Sequence, residues 1–237
     1  MKAVDIISNK KTGRKHTKEE LEFWISGIVD GSIQDYQISA WLMAVCFNGL
    51  DFEETAILTD LMAKSGKMLD LSELGDNVMD KHSTGGVGDK ISLILIPLMA
   101  ALGGKMAKLS GRALGHTGGT IDKLESIPNF NTGLPIDKFL AQVKQIGCAI
   151  ASQTSDFTYA DKKLYELRDV TATVDCIPLI TSSIVSKKIA SGANIIVLDV
   201  KYGDGAFIKT KEEAEKLSHM MVNVGKQLNR SIIAVIS

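Results

Sequence analysis

Past Lys67 the hydrophobic pattern of the chain changes period, and that change restricts the fold more than any other feature. Before it, apolar residues recur three and four apart. Leu21, Trp24, Ile25 and Ile28 follow the capping box Thr17…Glu20; Ile57, Leu58, Leu61 and Met62 follow Asp51…Glu54 and precede Gly66. Such stripes belong to helices that pack on one another. Another helix is predicted from about Asp35 to Phe47. Beyond Lys67 short apolar runs alternate with helical ones, as β/α units around a parallel sheet do. Predicted strands are Val78–Asp80, Lys105–Leu109, Cys148–Ser152, Asn194–Val200 and Ser231–Ile236. Helices are predicted over Pro135–Ile146, with Gly147 behind it, and over Thr210–Leu228, opened by Thr210…Glu213. Between Thr158 and Ser191 the helical pattern returns without a strand. The expected class is therefore α/β, with an all-helical lobe (1–65 and 162–193) and a mainly parallel-sheet lobe (66–161 and 194–237). Connectors at Gly66–Asp76, Gln153–Asp161 and Ala190–Ala193 are the expected hinges.

Composition narrows the function. With 27 basic and 28 acidic residues there is no overall field to hold nucleic acid or an anionic membrane, so any anion site is local. The longest apolar stretch, Ile91 to Leu102, is broken by Ser92 and Pro97 and falls well short of the ~20 residues of a membrane span. Asp5 interrupts any signal-peptide core. Cys46, Cys148 and Cys176 are scattered and form no CxxC pair, which argues against a disulfide frame or a zinc site and fits a reducing cytoplasm.

Two segments carry anion-binding chemistry, each directly after a predicted strand. In DKHSTGGVGDKIS, Asp80 to Ser92, Gly85, Gly86 and Gly88 let backbone N–H groups turn inward beside Lys81, His82, Ser83 and Ser92. It is neither a Walker A loop nor GxGxxG, and a ligand-free Gly-rich turn is the competing reading. In KLSGRALGHTGGTIDKLESI, Lys108 to Ile127, the donors are Lys108, Ser110, Thr117 and Thr120, with Gly111, Gly118 and Gly119. Asp122 and Glu125 either form an acid–base pair or serve the helix dipole, and the dipole is the preferred reading. In the returning helical segment, Ser183 and Lys187 share one helix face, and with Arg168 they form either a clamp for a planar, carbonyl-rich group or a solvated surface.

The run KLSGRALGHTGGTIDKLE, with DKHSTGGVGDK, DKKLYELRDVT and SSIVSKKIASGAN, closely resembles the thymidine and pyrimidine-nucleoside phosphorylase family, from residue 1 to residue 237. The resemblance implies two lobes flanking a cleft, with phosphate on the α/β side and pyrimidine on the helical side. It implies Lys81, Ser83, Ser92, Lys108, Ser110 and Thr120 as phosphate ligands and Arg168, Ser183 and Lys187 as the base-recognition set. His82 would reach toward the glycosidic bond or the base. The implied reaction is phosphorolysis of a pyrimidine nucleoside to free base and (deoxy)ribose 1-phosphate, with catalytic roles for His82, Arg168 and Lys187. Phosphate is a substrate and no cofactor or structural metal is implied. Potassium stays open, because some relatives hold it at the turn of Gly88 and residue 90, where this chain has Lys90. The resemblance also implies a homodimer through the helical lobe, for which Phe23, Trp24, Trp41 and Phe47 either offer contact area or form core within the lobe.

Family members continue beyond Ser237. The expectation is thus a C-terminally truncated α/β lobe, an unpaired last strand and weak or absent turnover by this chain alone. The alternatives are a phosphoribosyltransferase of related architecture, a non-catalytic phosphate-binding fragment, and a structural role for the helical lobe. The first needs acidic residues for magnesium pyrophosphate, whereas Glu19–Glu20, Glu53–Glu54 and Glu212–Glu213 all read as helix caps. Preference among thymidine, uridine and deoxyuridine is not encoded in any of these motifs.

Overall fold

The computed structural model describes residues 1–85, 89–112, 119–154 and 156–237. Gly86, Gly88, Thr117 and Gly118 of the two Gly-rich segments lie outside the described residues. In chain order the elements are α1 (Ala3–Lys11), α2 (Lys18–Val29), α3 (Asp35–Asn48), α4 (Phe52–Lys64), β1 (Val78–Ser83), α5 (Ile91–Ala101), β2 (Lys105–Ser110), α6 (Thr120–Glu125), α7 (Ile136–Ile146), β3 (Cys148–Ser152), α8 (Tyr159–Val170), α9 (Ile177–Ala190), β4 (Ile195–Val200), α10 (Lys211–Gln227) and β5 (Ser231–Ile236). They form two compact units: Met1–Met68, Ser155–Ala190 and His219–Asn229 in one; Leu69–Thr154, Ser191–Ser218 and Arg230–Ser237 in the other. The residues from His219 to Asn229 thus count with the helical unit, whereas the hydrophobic pattern had put all of 194–237 in the sheet lobe.

The helical unit is started by local chemistry. Glu20 N–H donates to Thr17 Oγ1 (3.2 Å) while Glu20 Oε2 accepts from Thr17 N–H (3.0 Å); Asp51 and Glu54 repeat this at α4, and Thr210 and Glu213 at α10. Glu20, Glu54 and Glu213 are therefore capping residues. The apolar stripes meet in a core containing Ile6, Leu21, Trp24, Trp41, Leu42, Leu58, Leu164 and Leu179. Trp24 and Trp41 are fully buried, with ring centroids 5.2 Å apart, and Phe23 packs against the same core. Of the four expected dimer contacts only Phe47 is freely exposed; the tryptophans are core because their stripes face inward. A polar network threads this core. Lys10 Nζ pairs with Glu54 Oε1 at 2.7 Å, both almost fully buried, and Trp41 Nε1 donates to His16 Nε2 at 3.0 Å. Burial, reinforced by the charge of Lys10, pushes the His16 pKa below its ordinary value.

The other unit is built on a five-stranded sheet in the order β3-β2-β1-β4-β5, with every pair parallel. The order reverses beside β1: β2 and β3 lie on one side of it, β4 and β5 on the other. In open α/β sheets such a switch point, at the strands' carboxyl ends, is where ligands bind. β1 runs to Ser83, three residues beyond the predicted end, because β4 pairs with it as far as Ser83↔Asp199. Lys81, His82 and Ser83 consequently stand on a strand and not in a loop. β5 is paired along six positions of β4, contrary to the expected unpaired strand, and its Ile233 and Val235 remain half exposed at the sheet edge. Gly147 ends α7 in the left-handed conformation (φ 82°), its N–H donating to Val143 O at 2.9 Å. No helix among the described residues is long and apolar enough to cross a membrane.

Candidate functional site

At the carboxyl ends of β1 and β4, lysines and aspartates interlock. Lys81 is almost fully buried, and its Nζ lies 2.6 Å from Asp89 Oδ1 and 2.9 Å from Asp199 Oδ2. Lys201 pairs with Asp199 at 2.8 Å. Lys108, equally buried, lies 3.6 Å from Asp80 Oδ1 and donates to the carbonyl of Lys81. Among the described residues three lysines thus face three aspartates, and the cluster is close to neutral.

Within it Asp89 gathers half of the expected phosphate ligands. Its carboxylate accepts from Lys81 Nζ (2.6 Å), Ser92 Oγ (2.7 Å), Ser92 N–H (3.3 Å) and Thr120 Oγ1 (3.3 Å). Partial burial by itself would raise the Asp89 pKa. The Lys81 and Ser92 hydrogen bonds, with the charges of Lys81 and Lys108, outweigh it and hold the group at about 2. Asp199 is likewise kept low, its burial opposed by Lys201 and Lys81. Donors from β1, α5 and α6 thus converge on one internal carboxylate. Ser83 Oγ is buried at the same strand end with no hydrogen-bond partner among the described residues. Ser110 ends β2, where its carbonyl accepts from Gln153 N–H at 2.9 Å. Strand alternation puts His82 on the face of β1 opposite Lys81 and Ser83, beside Asp80.

In the helical unit, Lys187 Nζ lies 2.9 Å from Ser183 Oγ and 2.6 Å from Asp161 Oδ2. Arg168 is 2% exposed, and all three of its nitrogens donate to backbone: Nε to Thr173 O (3.1 Å), Nη1 to Leu179 O (3.1 Å) and Nη2 to Val174 O (2.7 Å). Its fork therefore brackets the turn between α8 and α9. Lys187 Nζ and Arg168 Cζ each lie 5.5 Å from the centroid of the Tyr165 ring. The structure thus brings together Arg168, Ser183 and Lys187 as the sequence suggested, and adds Asp161 and Tyr165.

Two family models match the chain: the helical bundle domain of a glycosyl transferase family over residues 4–66, and the a/b domain of that family over residues 75–235. The chain belongs to this glycosyl transferase family. It is similar to the pyrimidine-nucleoside phosphorylases of Staphylococcus haemolyticus (strain JCSC1435) and Bacillus subtilis (strain 168), each 54% identical over all of this chain and 55% of the relative. That of Geobacillus stearothermophilus is 53% identical over the same shares. The chain therefore spans about half the length of the curated relatives it matches. Among solved structures, anthranilate phosphoribosyltransferase from Thermus thermophilus has the same fold, with a TM-score of 0.79 at 19% identity over 98% of this chain and 66% of that one.

The two groups of side chains lie in different units, and each is legible in the sequence to a different degree. Asp161, Tyr165 and Arg168 sit at i, i+4 and i+7 of α8, so helical spacing from Arg168 was a signal available for the two that were missed. Asp89 carried no such signal, because an acid inside an expected anion cradle reads as a misfit. Asp122 and Glu125 are held by one arginine. Arg112 Nη1 reaches Asp122 (3.1 Å) and Glu125 Oε2 (2.6 Å), its Nη2 reaches Glu125 Oε1 (2.8 Å), and Asp122 caps Gly119 N–H at 2.8 Å. Lys90 is the N-cap of α5, while Gly88, its companion in the potassium turn, lies outside the described residues.

Proposed function

We propose that this chain carries the phosphate-holding and base-holding residues of a pyrimidine-nucleoside phosphorylase. The observation that carries the reading is the convergence of Lys81, Ser92 and Thr120 on the carboxylate of Asp89 at the topological switch point. A phosphate dianion presents the same acceptor oxygens with one more charge, and takes these donors by displacing Asp89. Ser83, Lys108 and Ser110 complete the set. Phosphate is then the nucleophile. One of its oxygens bonds to C1′ of the nucleoside, the C–N bond breaks, and negative charge builds on the departing base. Lys187 and Arg168 stabilise that charge as it develops, which accelerates the step beyond simple binding. His82 donates the proton or hydrogen bond that assists the base's departure. For Arg168 to act on the base, at least one of its three carbonyl bonds must open. We further propose that the protein works as a cytoplasmic homodimer through its helical unit, with exposed Phe47 among the contacts and without nucleic acid or membrane partners.

The experiment is a pair of titrations backed by an assay. Phosphate should raise the melting temperature of the wild type by ligand linkage but not that of Lys81→Ala. Lys187→Ala should lose uracil binding, by roughly 1.5–3 kcal/mol, while keeping the phosphate response. Release of base from uridine, thymidine or deoxyuridine only when phosphate is present would establish the reaction. An unaltered phosphate shift in Lys81→Ala, or equal loss of both ligands in Lys187→Ala, would remove the reading.

A further inference from the structure

Lys187 and Arg168 of the helical unit share one buried counter-charge. Asp161 stands in the first turn of α8 and is 1% exposed; its Oδ2 lies 2.6 Å from Nζ of Lys187, on α9. Its other oxygen, Oδ1, is also buried and has no hydrogen-bond partner among the described residues. A carboxylate in that state is costly unless a cation faces it, and Lys187 is the cation in contact. Burial pushes the Arg168 guanidinium below its ordinary range, and the charge of Asp161 is the largest influence opposing that shift.

The Lys187 side chain is 29% exposed, so its head has an access to solvent that Asp161 lacks. An ammonium on a four-carbon stem is a mobile group with three N–H donors. Here one donates to Ser183 Oγ at 2.9 Å and the Asp161 contact occupies a second, which leaves the third for a ligand. The Tyr165 ring, one helical turn after Asp161, has its centroid 5.5 Å from the same Nζ. Carboxylate, hydroxyl and ring together restrict where the head can go. Restricting a rotamer-rich side chain before the ligand arrives removes that entropic cost from binding.

We propose that Asp161 is a positioning residue of the base-holding set: it anchors the Lys187 ammonium so that the remaining N–H is presented to the pyrimidine, and does not itself touch the base. The inference rests on the reading of Lys187 as a base-holding residue. The carboxylate is too deeply buried to meet a ligand, so its effect passes through Lys187. Asparagine keeps the shape of the side chain and removes its charge, so Asp161→Asn frees the ammonium to turn into solvent. Lys187→Met does the converse. It leaves the Asp161 carboxylate buried with no cation in contact, which destabilises the helical unit, and removing the carboxylate's charge as well relieves that penalty.

The test is a double-mutant cycle on the 237-residue chain: wild type, Asp161→Asn, Lys187→Met and the double variant, each titrated with uracil and with phosphate and unfolded in urea. Asp161→Asn should bind uracil about tenfold more weakly, as for loss of one charged hydrogen bond, with the phosphate response unchanged. In the Lys187→Met background the same substitution should leave uracil affinity where it is and raise the urea midpoint. A carboxylate that merely supports the fold would lower both ligand responses, or weaken uracil binding equally in the two backgrounds. Either result would overturn the positioning role, as would an unchanged uracil affinity in Asp161→Asn. A double variant less stable than Lys187→Met would show that the carboxylate does not need the lysine and would overturn the pair itself. A wild type that binds no uracil but shows the expected coupling in urea would leave the pair standing and overturn the base-holding reading instead.

Discussion

Replacing Asp89 by Asn separates two contributions that the wild type combines. The carboxylate accepts from Lys81, Ser92 and Thr120 and is held at about 2 against a reference of 3.8. That depression corresponds to about 2.4 kcal/mol of folding free energy at neutral pH, which partial solvent access reduces to about 1–2 kcal/mol. For a chain of this size the loss should lower the melting temperature by about 3–6 °C. The pH dependence has a definite sign. Because the folded pKa is the lower one, the unfolded chain takes up the proton first as pH falls. The contribution is therefore complete above about 4 and disappears toward about 2, and the gap between wild type and Asp89→Asn should close across that window. Phosphate binding should move the other way. The variant removes the acceptor that competes for Lys81, Ser92 and Thr120, leaving three lysines against two aspartates, so phosphate should bind at least about tenfold more tightly. Differential scanning fluorimetry over a matrix of pH and phosphate concentration reads both effects. Weaker phosphate binding in the variant would mean that Asp89 orients Lys81 for the anion and does not stand in its place.

Three further outcomes follow from the helical unit. His16 is buried neutral with a lowered pKa, so the unfolded chain protonates first and stability should fall as pH drops below about 6.5; His16→Gln should flatten that slope in urea midpoints between about pH 7 and 5. Gly66→Ala should cost about 1–3 kcal/mol in denaturant unfolding, because its methyl group would meet Asp156 O and Thr158 N, whereas an unchanged midpoint would show that this turn yields freely. Arg168→Lys keeps the charge but cannot span three carbonyls. Amide exchange at 173–179 should accelerate with a loss of roughly 1.5–3 kcal/mol, and unaltered protection there would refute the bracket.

The elements that were legible in the sequence are those whose causes are local. The Thr17…Glu20, Asp51…Glu54 and Thr210…Glu213 boxes, the Gly147 terminator and strands β3 and β5 all lie where the pattern put them. Lysines and hydroxyls beside glycines in one unit, and an Arg–Ser–Lys group in the other, were visible in the sequence as residue types. What those donors hold was not legible. Lys81 meets Asp199 across more than a hundred residues of chain, and β1 extends to Ser83 only because β4 lies beside it.

The sequence by itself therefore determined the helix starts and stops, the α/β class and the chemical kind of each donor set, since capping and hydrophobic periodicity act within a few residues. Tertiary structure alone decided that Asp89 holds Lys81, Ser92 and Thr120, that Lys81 also meets Asp199, and that Arg168 is spent on three carbonyls. Each of these depends on which distant segments are neighbours once apolar faces are buried, and a residue carries no local mark of the partner that packing will bring to it.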